Sequence, residues 1–327
     1  MAIPTLSAGE PLAECLRSLE AQAFRAFEVI VIDNSGKRLV ASAGPRGRVI
    51  HNASNAGFGA AINQAFRASE APYLATLNDD ARADPRWLEQ LVAAAEKRPT
   101  AGMMASCVML AGTKTLDSAG MLIAADGSSK QRGHGASPEA FQKDEDALLP
   151  SGSAALYRRA MLEETGLFDE TFFLYCEDTD LGLRARWAGW ECAYAATAVV
   201  EHRYSHSAGK ASPLKAYYVE RNRLYLVFKN LPWSTVIGAP FTALARYFWH
   251  VVALTEGRGK AAEFQEAGHG VLLLPFLVFR AHIAVLWRLP RLLAERRRLK
   301  ATHRLSAQEF RGLIRRHSIS LREVASL

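Results

Sequence analysis

The stretch FEVIVIDNSG, residues 27–36, contains four consecutive β-branched residues and then ends in an aspartate and turn-forming residues. A continuous apolar run of this kind is typical of a strand buried on both faces of a parallel sheet. Amphipathic helical patterns lie on either side of it, at PLAECLRSLEAQAF (residues 11–24) and GAAINQAFRAS (residues 59–69). The sequence therefore predicts an α/β fold with a mostly parallel sheet.

Polar residues directly follow two further predicted strands, at Pro4-Thr5 and at Asn78-Asp79-Asp80. In a sheet of this type, ligands bind beyond the carboxyl ends of the strands. Adjacent carboxylates at that edge suit Mg²⁺ or Mn²⁺, which take their remaining ligands from water and substrate phosphates. A metal-bound diphosphate is one interpretation of Asp79 and Asp80.

The alternative is an acidic turn that leads into a helix, with Asp84 as its N-cap and Pro85 as its first residue. This alternative explains Asp84 but gives no role to Asp79 and Asp80.

The glycines of NASNAGFGAAINQAF, residues 52–66, form a turn that leads into a helix. Backbone amides at such a turn can approach a nucleotide closely, although a tight strand-to-helix connection explains Gly57 and Gly59 equally well. Asp33 has two interpretations as well. It either accepts a hydrogen bond from a base or ribose, or caps the turn that follows it.

A helix is predicted to begin near Glu177 and to end at Gly189 in FLYCEDTDLGLRARWAGW, residues 173–190. Acids in a first turn are stabilised by the helix dipole, and Asp180 is spaced to pair with Arg184. Glu177, Asp178 and Asp180 at one helix end nevertheless repel one another unless positive charge lies nearby. A carboxylate at a helix N-terminus is also expected to stay ionised near neutral pH, as a general base must.

Residues 126–150 are polar and rich in Gly and Ser, which is typical of a long surface loop. Further along, ECAYAATAVVEH (residues 191–202) predicts another strand, with His202 at its end. His202 is either a neutral metal ligand or a histidine satisfied by neighbouring groups. Ser205 and His206 lie in a polar turn that flanks the same position.

The 327 residues exceed the length of one ordinary core, so we expect a large domain over residues 1–230 and a smaller helical region over residues 231–327. Hydrophobic residues make up 49% of the chain, enough for a globular protein. The four cysteines form no CxxC pair and no zinc-like cluster, which favours a reducing cytoplasm. The N-terminus shows no secretory signal pattern.

Two apolar segments, residues 231–254 and 271–287, are interrupted by charged residues or proline, and neither is a convincing membrane span. Arg246 and His250 share one helical face, which suits a helix that lies in the headgroup plane with its polar side up. The alternative is a pair of core helices.

Residues 288–316 contain ten arginine or lysine residues and two glutamates, so this part of the chain attracts anions. The interleaved aromatic residues that single-strand binding requires are absent from it, and we expect no nucleic-acid partner. The expected partner is an anionic membrane surface, with the protein bound peripherally at its cytoplasmic face.

In this order, the pieces resemble family 2 inverting glycosyltransferases of the GT-A fold, especially the rhamnosyltransferase-like branch that builds bacterial surface polysaccharides. The resemblance covers about residues 3–230. Its most specific block is SGSAALYRRAMLEETGLFDETFFLYCEDTDLGLRARWAGW at residues 151–190. The shorter matching motifs are IPTL, VIVIDNSG, NAGFGAAIN, LNDD, VEHRYSHS and YYVERNRLYLVFKN.

The resemblance implies a Rossmann-like core and assigns roles to particular residues. Asp178 of the Glu177-Asp178 pair matches the catalytic base. Asp80 and His202 match residues that hold the metal, with LNDD in place of a literal DXD motif. The positions that the resemblance places at the donor are Pro4, Thr5, Asp33, Asn55, Gly57, Asn78, Asp79, Ser151 and Gly152.

The residue patterns and the resemblance agree on one reaction. A divalent metal neutralises the diphosphate leaving group while Asp178 removes the proton from an acceptor hydroxyl that attacks the opposite face of the anomeric carbon. We expect a dTDP- or UDP-sugar as donor, with rhamnose implied by the resemblance, and a glycan or polyprenyl-linked acceptor. The alternatives are a metal-dependent nucleotidyltransferase and a non-catalytic basic protein that binds membranes.

Overall fold

The structure is a computed structural model that describes residues 1–203 and 211–327. Its residues form two compact units. The first comprises residues 1–121 and 131–203, and the second comprises residues 122–130 and 211–327. The second unit therefore includes residues before position 231, whereas the composition of the sequence predicts the boundary between residues 230 and 231.

Helix Pro213–Asn230 belongs to the second unit. Its residue Arg223 donates a hydrogen bond to the backbone oxygen of Asp126 at 2.8 Å, which ties the helix to the short segment 122–130. A contact between residues 97 positions apart leaves no mark in local composition.

Twelve strands are present in the described residues. They are β1 (Ala2–Thr5), β2 (Val29–Asp33), β3 (Gly47–His51), β4 (Tyr73–Leu77), β5 (Ala81–Ala83), β6 (Ala101–Leu110), β7 (Leu116–Ser118), β8 (Met121–Ile123), β9 (Ser129–Gln131), β10 (Glu145–Asp146), β11 (Ala154–Arg158) and β12 (Glu191–His202).

Helices α1 to α5 belong to the first unit and α6 to α11 to the second. They are α1 (Glu10–Glu20), α2 (Phe58–Arg67), α3 (Trp87–Lys97), α4 (Arg159–Thr165), α5 (Glu177–Trp187), α6 (Pro213–Asn230), α7 (Trp233–Thr255), α8 (Gly259–Glu266), α9 (Leu273–Leu299), α10 (Ala307–Arg316) and α11 (Leu321–Ser326), with short 3₁₀ helices at Pro138–Phe141, Glu170–Phe172 and Lys300–Thr302.

The first unit is built on one mixed sheet in the order β10-β12-β6-β11-β4-β1-β2-β3, with β5 added to β12 and β7 to β6. Strands β1 to β4 pair in parallel, and so do β6 and β12, whereas β11 is antiparallel to both β4 and β6. All five residues of β2 are buried, as the apolar run predicts. The expected α/β fold is confirmed.

The first unit departs from the sequence-based expectation at Asp84. Strand β5 pairs with β12, and the backbone N–H of Asp84 donates to Val199, so the chain is still held at the sheet there. Helix α3 consequently begins at Trp87 with Arg86 as its N-cap, and the predicted start at Pro85 is wrong.

Residues 126–150 are also more ordered than a surface loop. They contribute β9 and β10, and Ala147, Leu148 and Leu149 are buried. The polar composition of the segment concealed these short elements because each is only two or three residues long.

Helix α5 is anchored by a buried ion pair that the sequence predicted. Arg184 Nε lies 2.9 Å from Asp180 Oδ2, and both side chains are at most 5% exposed. The two terminal nitrogens of Arg184 also donate to the backbone oxygens of Thr165, Gly166 and Leu167. One guanidinium thus fixes α5 against the turn that follows α4.

The second unit contains two long helices whose sequences were predicted to be too short or too interrupted to span a membrane. In the described part of the chain, one helical segment is long and apolar enough to cross a membrane, judged by length and composition alone. This segment is Leu273–Thr302. It includes α9, which continues for twelve residues beyond the apolar run that ends at Trp287.

The expectation that Arg246 and His250 face lipid headgroups is wrong. Arg246 is buried, with Nε 2.6 Å from Asp126 Oδ2 and a terminal nitrogen 2.6 Å from Glu220 Oε2. Burial and the charge of Arg246 lower the pKa of His250 to about 4. The polar side of α7 therefore faces acidic partners inside its own unit, where the charge of Arg246 is neutralised.

We predict that Arg184→Ala lowers the free energy of unfolding by about 3–5 kcal/mol, because Asp180 is left buried without its charge partner. The matched control is Arg67→Ala, which breaks an exposed ion pair with Glu170 and should cost about 0–1 kcal/mol. Urea titration followed by circular dichroism measures both changes. Equal losses in the two variants would contradict the anchoring role of Arg184.

Candidate active site

The parallel strands bring several predicted residues to one edge of the sheet. Thr5 ends β1 and stands in register with Asp33 at the end of β2, while Asn78 follows β4. The hydroxyl of Thr5 donates a hydrogen bond to Asp79 Oδ2. The carboxylate of Asp79 is therefore held against the first strand.

His202, at the end of β12, contacts three of the polar residues near this edge of the sheet. Its Nε2 lies 3.3 Å from Asp80 Oδ1 and 3.0 Å from Asn78 Nδ2, and its Nδ1 lies 2.7 Å from Asp117 Oδ2. Burial lowers the pKa of His202, but the contacts with Asp117 and Asp80 outweigh this effect and raise it to about 9. The two carboxylates thus favour positive charge between them.

Asp80 and His202 fit the donor set of a divalent cation. A carboxylate oxygen and an imidazole nitrogen lie 3.3 Å apart, and Asp117 holds the other ring nitrogen, as outer-shell carboxylates do at metal sites. No group of three or more His, Cys, Asp or Glu side chains that could hold a metal occurs in residues 1–203 and 211–327. A cation here would need oxygens from substrate or water, which is usual for Mg²⁺ bound beside phosphates.

The segment Ser151–Ser153 connects this edge to α5. The backbone N–H of Asn78 donates to the carbonyl of Ser153 at 2.8 Å, and the hydroxyls of Ser151 and Ser153 are 2.9 Å apart. The backbone N–H of Gly152 donates to Asp178 Oδ2 at 2.9 Å. A side chain at Gly152 would meet Asp178 at 3.3 Å, so glycine allows this close approach.

Asp178 and Glu177 share a helix end but differ in environment. Asp178 is partly exposed. Its Oδ1 accepts a hydrogen bond from the backbone N–H of Thr179, while its Oδ2 accepts the one from Gly152. Glu177 is buried, and its Oε2 has no hydrogen-bond partner in the described part of the chain. The two acids are therefore not equivalent.

Burial, with a smaller contribution from the charge of Asp178, raises the pKa of Glu177 to about 8. The expectation that the acids at this helix end stay ionised near neutral pH is wrong for Glu177, because the loss of hydration exceeds the benefit of the helix dipole. Burial also raises the pKa of Asp178, against the opposing hydrogen bonds from Gly152 and Thr179.

Asp33 is fully buried, and protein groups surround its carboxylate. The backbone N–H groups of Ser35 and Val40 donate to its two oxygens at 3.0 Å, and His51 Nδ1 lies 3.2 Å away. Burial raises the pKa of Asp33, but these hydrogen bonds outweigh it and lower the pKa to about 2. The carboxylate thus shapes the turn after β2, which agrees with its interpretation as a cap.

The glycine turn packs against the segment that precedes α5. Gly57 has φ 88°, its N–H donates to Asn55 Oδ1, and a Cβ there would lie 2.3 Å from the backbone oxygen of Phe173. The N–H of Phe58 donates to that same oxygen at 2.9 Å. This contact requires glycine at position 57. It favours the interpretation in which the glycines allow a tight connection between strand and helix.

Three residues just before α5 have a left-handed backbone, Phe173, Tyr175 and Cys176, with φ between 63° and 68°. Such conformations cost free energy in non-glycine residues and cluster at functional sites. These three residues immediately precede Glu177 and Asp178 in the chain.

Sequence reasoning missed Asp117, Asn34 and the backbone of Phe173. Asp117 lies in LDSAG, which carries no motif, and it meets His202 across 85 residues. Asn34 follows Asp33, and its amide donates to the carbonyl of Gly57 at 3.3 Å. Ser205 and His206, which were predicted to flank the site, lie outside the described residues.

Comparison with known protein families shows the class of enzyme to which the chain belongs. A family model described as "Glycosyl transferase family 2" matches residues 1–166, just over half of the chain. The chain belongs to this glycosyltransferase family. The resemblance found in the sequence is confirmed, and the protein is an enzyme of the glycosyltransferase class.

Two relatives of known function are similar to the chain in sequence. An N-acetylglucosaminyl-diphospho-decaprenol L-rhamnosyltransferase of Mycobacterium tuberculosis is 28% identical over 258 residues, which cover 70% of this chain and 84% of the relative. The O-antigen biosynthesis protein RfbC of Myxococcus xanthus is 28% identical over 191 residues, which cover 55% of this chain and 14% of that protein.

Solved structures confirm the GT-A fold of this glycosyltransferase. The crystal structure of GalNAc-T7 with UDP, GalNAc and Mn²⁺ matches with a TM-score of 0.56 and 15% identity. The match covers 69% of this chain and 46% of that chain. At this identity the likeness concerns the fold alone.

We predict that Glu177→Gln changes how the stability of the glycosyltransferase depends on pH. The pKa of Glu177 is about 8 in the folded chain against 4.5 for an ordinary glutamate, so the stability linked to its proton is fully present below about pH 4.5 and is lost as the pH rises from there through 8. Glutamine stays neutral throughout. As the pH rises, the free energy of unfolding of the wild type should therefore fall relative to that of this variant. The full difference is roughly 1.4 kcal/mol for each unit by which the pKa is shifted.

Denaturant titrations from about pH 5 to pH 8 measure this difference. The control is Glu70→Gln, at an exposed position of the same unit, whose stability should follow that of the wild type. Parallel stability curves for wild type and Glu177→Gln would contradict the assignment of a buried, protonated Glu177.

Proposed function

We propose that this glycosyltransferase transfers a sugar with inversion from a nucleoside-diphosphate donor to a hydroxyl group of a lipid-linked glycan. The donor is a dTDP- or UDP-sugar, and the sugar is a deoxyhexose such as rhamnose. The name of the mycobacterial relative supports both the rhamnosyl group and a polyprenyl diphosphate acceptor. The observation that carries the proposal is the position of Asp178, partly exposed and held by Gly152 at the strand-end site.

Asp178 is the proposed general base. Two adjacent carboxylates resist double ionisation, and the buried Glu177 keeps its proton more readily than its partly exposed neighbour. Asp178 is thereby the member of the pair that carries negative charge. The N–H groups of Gly152 and Thr179 fix its orientation so that it can accept the proton of an acceptor hydroxyl.

Asp80 and His202 are the proposed holders of a divalent metal, Mg²⁺ or Mn²⁺. When bound, such an ion supplies positive charge that stabilises a diphosphate leaving group. Asp117 orients the His202 imidazole through Nδ1 and leaves Nε2 directed toward Asp80. The hydroxyl of Thr5 keeps Asp79 in place beside them.

The donor is proposed to bind along the carboxyl ends of β1, β2 and β4. The proposal includes Pro4 and Thr5, which end β1, and Asn78 and Asp79, which directly follow β4. Asp33, Asn55 and Gly57 shape the neighbouring turns, as their hydrogen bonds show. Ser151 and Gly152 complete this set between the donor side and Asp178.

The proposed location is the cytoplasmic face of the cell membrane, with peripheral binding. A lipid-linked acceptor stays in the bilayer, so an enzyme that works on it gains local concentration by binding there. The basic stretch 288–316 supplies charge that anionic lipids attract.

We predict that Asp178→Asn lowers turnover by about 10²–10⁴-fold, the usual contribution of a positioned acid–base group. Initial rates of nucleoside diphosphate release from dTDP-rhamnose, with membrane-extracted lipid acceptor, measure this loss. Affinity for dTDP in titration calorimetry should stay unchanged, because the proposed donor contacts do not include the Asp178 charge. Asp84→Asn, at an exposed acid of the same unit, is the control. Near-normal turnover in Asp178→Asn would remove this residue from the mechanism.

A further inference from the structure

Helix α7 presents a row of large apolar side chains to solvent. Ile237, Phe241, Leu244, Phe248 and Val251 recur at intervals of four and three residues, so they lie on one face, and each is 60–74% exposed. Single exposed apolar residues are ordinary on protein surfaces, but a contiguous row marks an interaction site. We call this row the α7 face.

The opposite side of α7 carries small and charged residues. Ala239 and Ala243 are buried there, and Arg246 makes its two ion pairs with Asp126 and Glu220. A helix of a water-soluble protein is arranged the other way, with its apolar stripe toward the core. The inverted pattern of α7 indicates that its outer face contacts an apolar medium.

Helix α9 has the same inverted arrangement in its first half. Phe276, Phe279 and Ile283 are exposed at spacings of three and four residues, and the exposed Leu286 and Trp287 follow Ile283 by three and four residues. We call these five residues the α9 face. Only 17% of the most apolar stretch of this helix is buried, so it is not the core helix of a soluble bundle.

The other side of α9 is occupied by protein. Leu277, Ala281 and Val285 are buried, and further along the helix Arg296 donates to the backbone oxygen of Phe228 on α6 at 3.0 Å. Helix α6 carries the buried polar residues Glu220 and Arg223. One flank of α9 therefore packs against protein, including α6, while the other flank is apolar and exposed.

The second half of α9 and the residue after it are strongly cationic. Arg291, Arg297 and Arg298 on α9 and the following Lys300 are exposed, after the apolar α9 face. An apolar face that continues into exposed positive charge matches a lipid surface whose headgroups are anionic. A second copy of the chain would bring the same positive charge to the contact, which disfavours self-association.

We propose that the α7 face, the α9 face and the cationic end of α9 form a docking surface for an anionic lipid bilayer, with both helices lying in the interface. The proposal rests on the proposed function, because it names the surface by which the enzyme reaches a lipid-linked acceptor. Crossing of the bilayer is disfavoured since Arg280 and His282 are exposed within the apolar half of α9.

Flotation of the full-length protein with vesicles tests the proposal. The vesicles are phosphatidylcholine alone or phosphatidylcholine with one quarter phosphatidylglycerol. We expect stronger binding to the anionic vesicles, weakened by added salt because exposed charges are screened within about 10 Å at 0.1 M. Equal binding to both kinds of vesicle, or binding to neither, would overturn the proposal.

Paired substitutions test each part of the surface. Phe241→Ser with Phe248→Ser, Phe276→Ser with Phe279→Ser, and Arg297→Glu with Arg298→Glu should each lower the vesicle partition coefficient by about tenfold or more. Circular dichroism confirms that each variant folds. Unchanged partitioning of all three folded variants would overturn the proposal.

The matched controls lie on the first unit. Leu39→Ser removes an apolar side chain that is 44% exposed, and Lys114→Glu with Lys143→Glu reverses two exposed charges. Both controls should partition like the wild type. Losses as large as those of the test variants would show that the effect is not specific to the docking surface and would count against it.

Two further measurements separate this surface from other occupants. Resistance of bound wild type to alkaline carbonate would show insertion instead of docking. Sedimentation velocity without vesicles would reveal a dimer, and its conversion to monomer by the phenylalanine variants would assign the faces to a second copy. Either result overturns the proposal.

Vesicle binding is independent of the chemistry. Asp178→Asn should float like the wild type even where turnover is lost. A wild type that transfers sugar but does not bind vesicles would refute the docking surface alone, and one that binds vesicles but transfers no sugar would refute the proposed function alone.

Discussion

The position of the proposed active site depends on how β1, β2, β4 and β12 pair within one sheet. Parallel pairing of β1 with β2 and β4 places Thr5, Asp33 and Asn78 at one edge, and β12 brings His202 to the same place. The contacts of His202 with Asp80 and Asp117 then fix the spacing of charges there. Residues that are far apart in the chain become one site because the strands end together.

Differential burial is the second constraint, since it separates two neighbouring acids that the sequence presents as a pair. Burial removes the hydration of Glu177 and raises its pKa to about 8, whereas Asp178 accepts hydrogen bonds from two backbone N–H groups and remains partly exposed. The strained backbone of residues 173–176 and the Arg184 anchor keep α5 in the orientation that creates this difference. The chain belongs to a glycosyltransferase family, and the environment of Asp178 supports the proposal that this residue is the base.

Much of this arrangement was predictable from local pattern. The buried strand β2, the strand that ends at His202, the helix at Glu177 and the Asp180–Arg184 pair follow from periodicity and from spacings of four residues. Asp117 was not predictable because its contact with His202 joins residues 85 positions apart. The inward position of Arg246 was not predicted from the sequence, for the same reason. Its partner Asp126 lies 120 residues away, and helical spacing alone does not tell which face meets protein.

Nuclear magnetic resonance of the reaction with dTDP-, UDP- and GDP-sugars in the presence of Mg²⁺ or Mn²⁺ tests the central claim most directly. It identifies both the leaving group and the anomeric configuration of the product. The account predicts release of a nucleoside diphosphate and a glycoside of inverted configuration. Release of pyrophosphate, or a product with retained configuration, would contradict it.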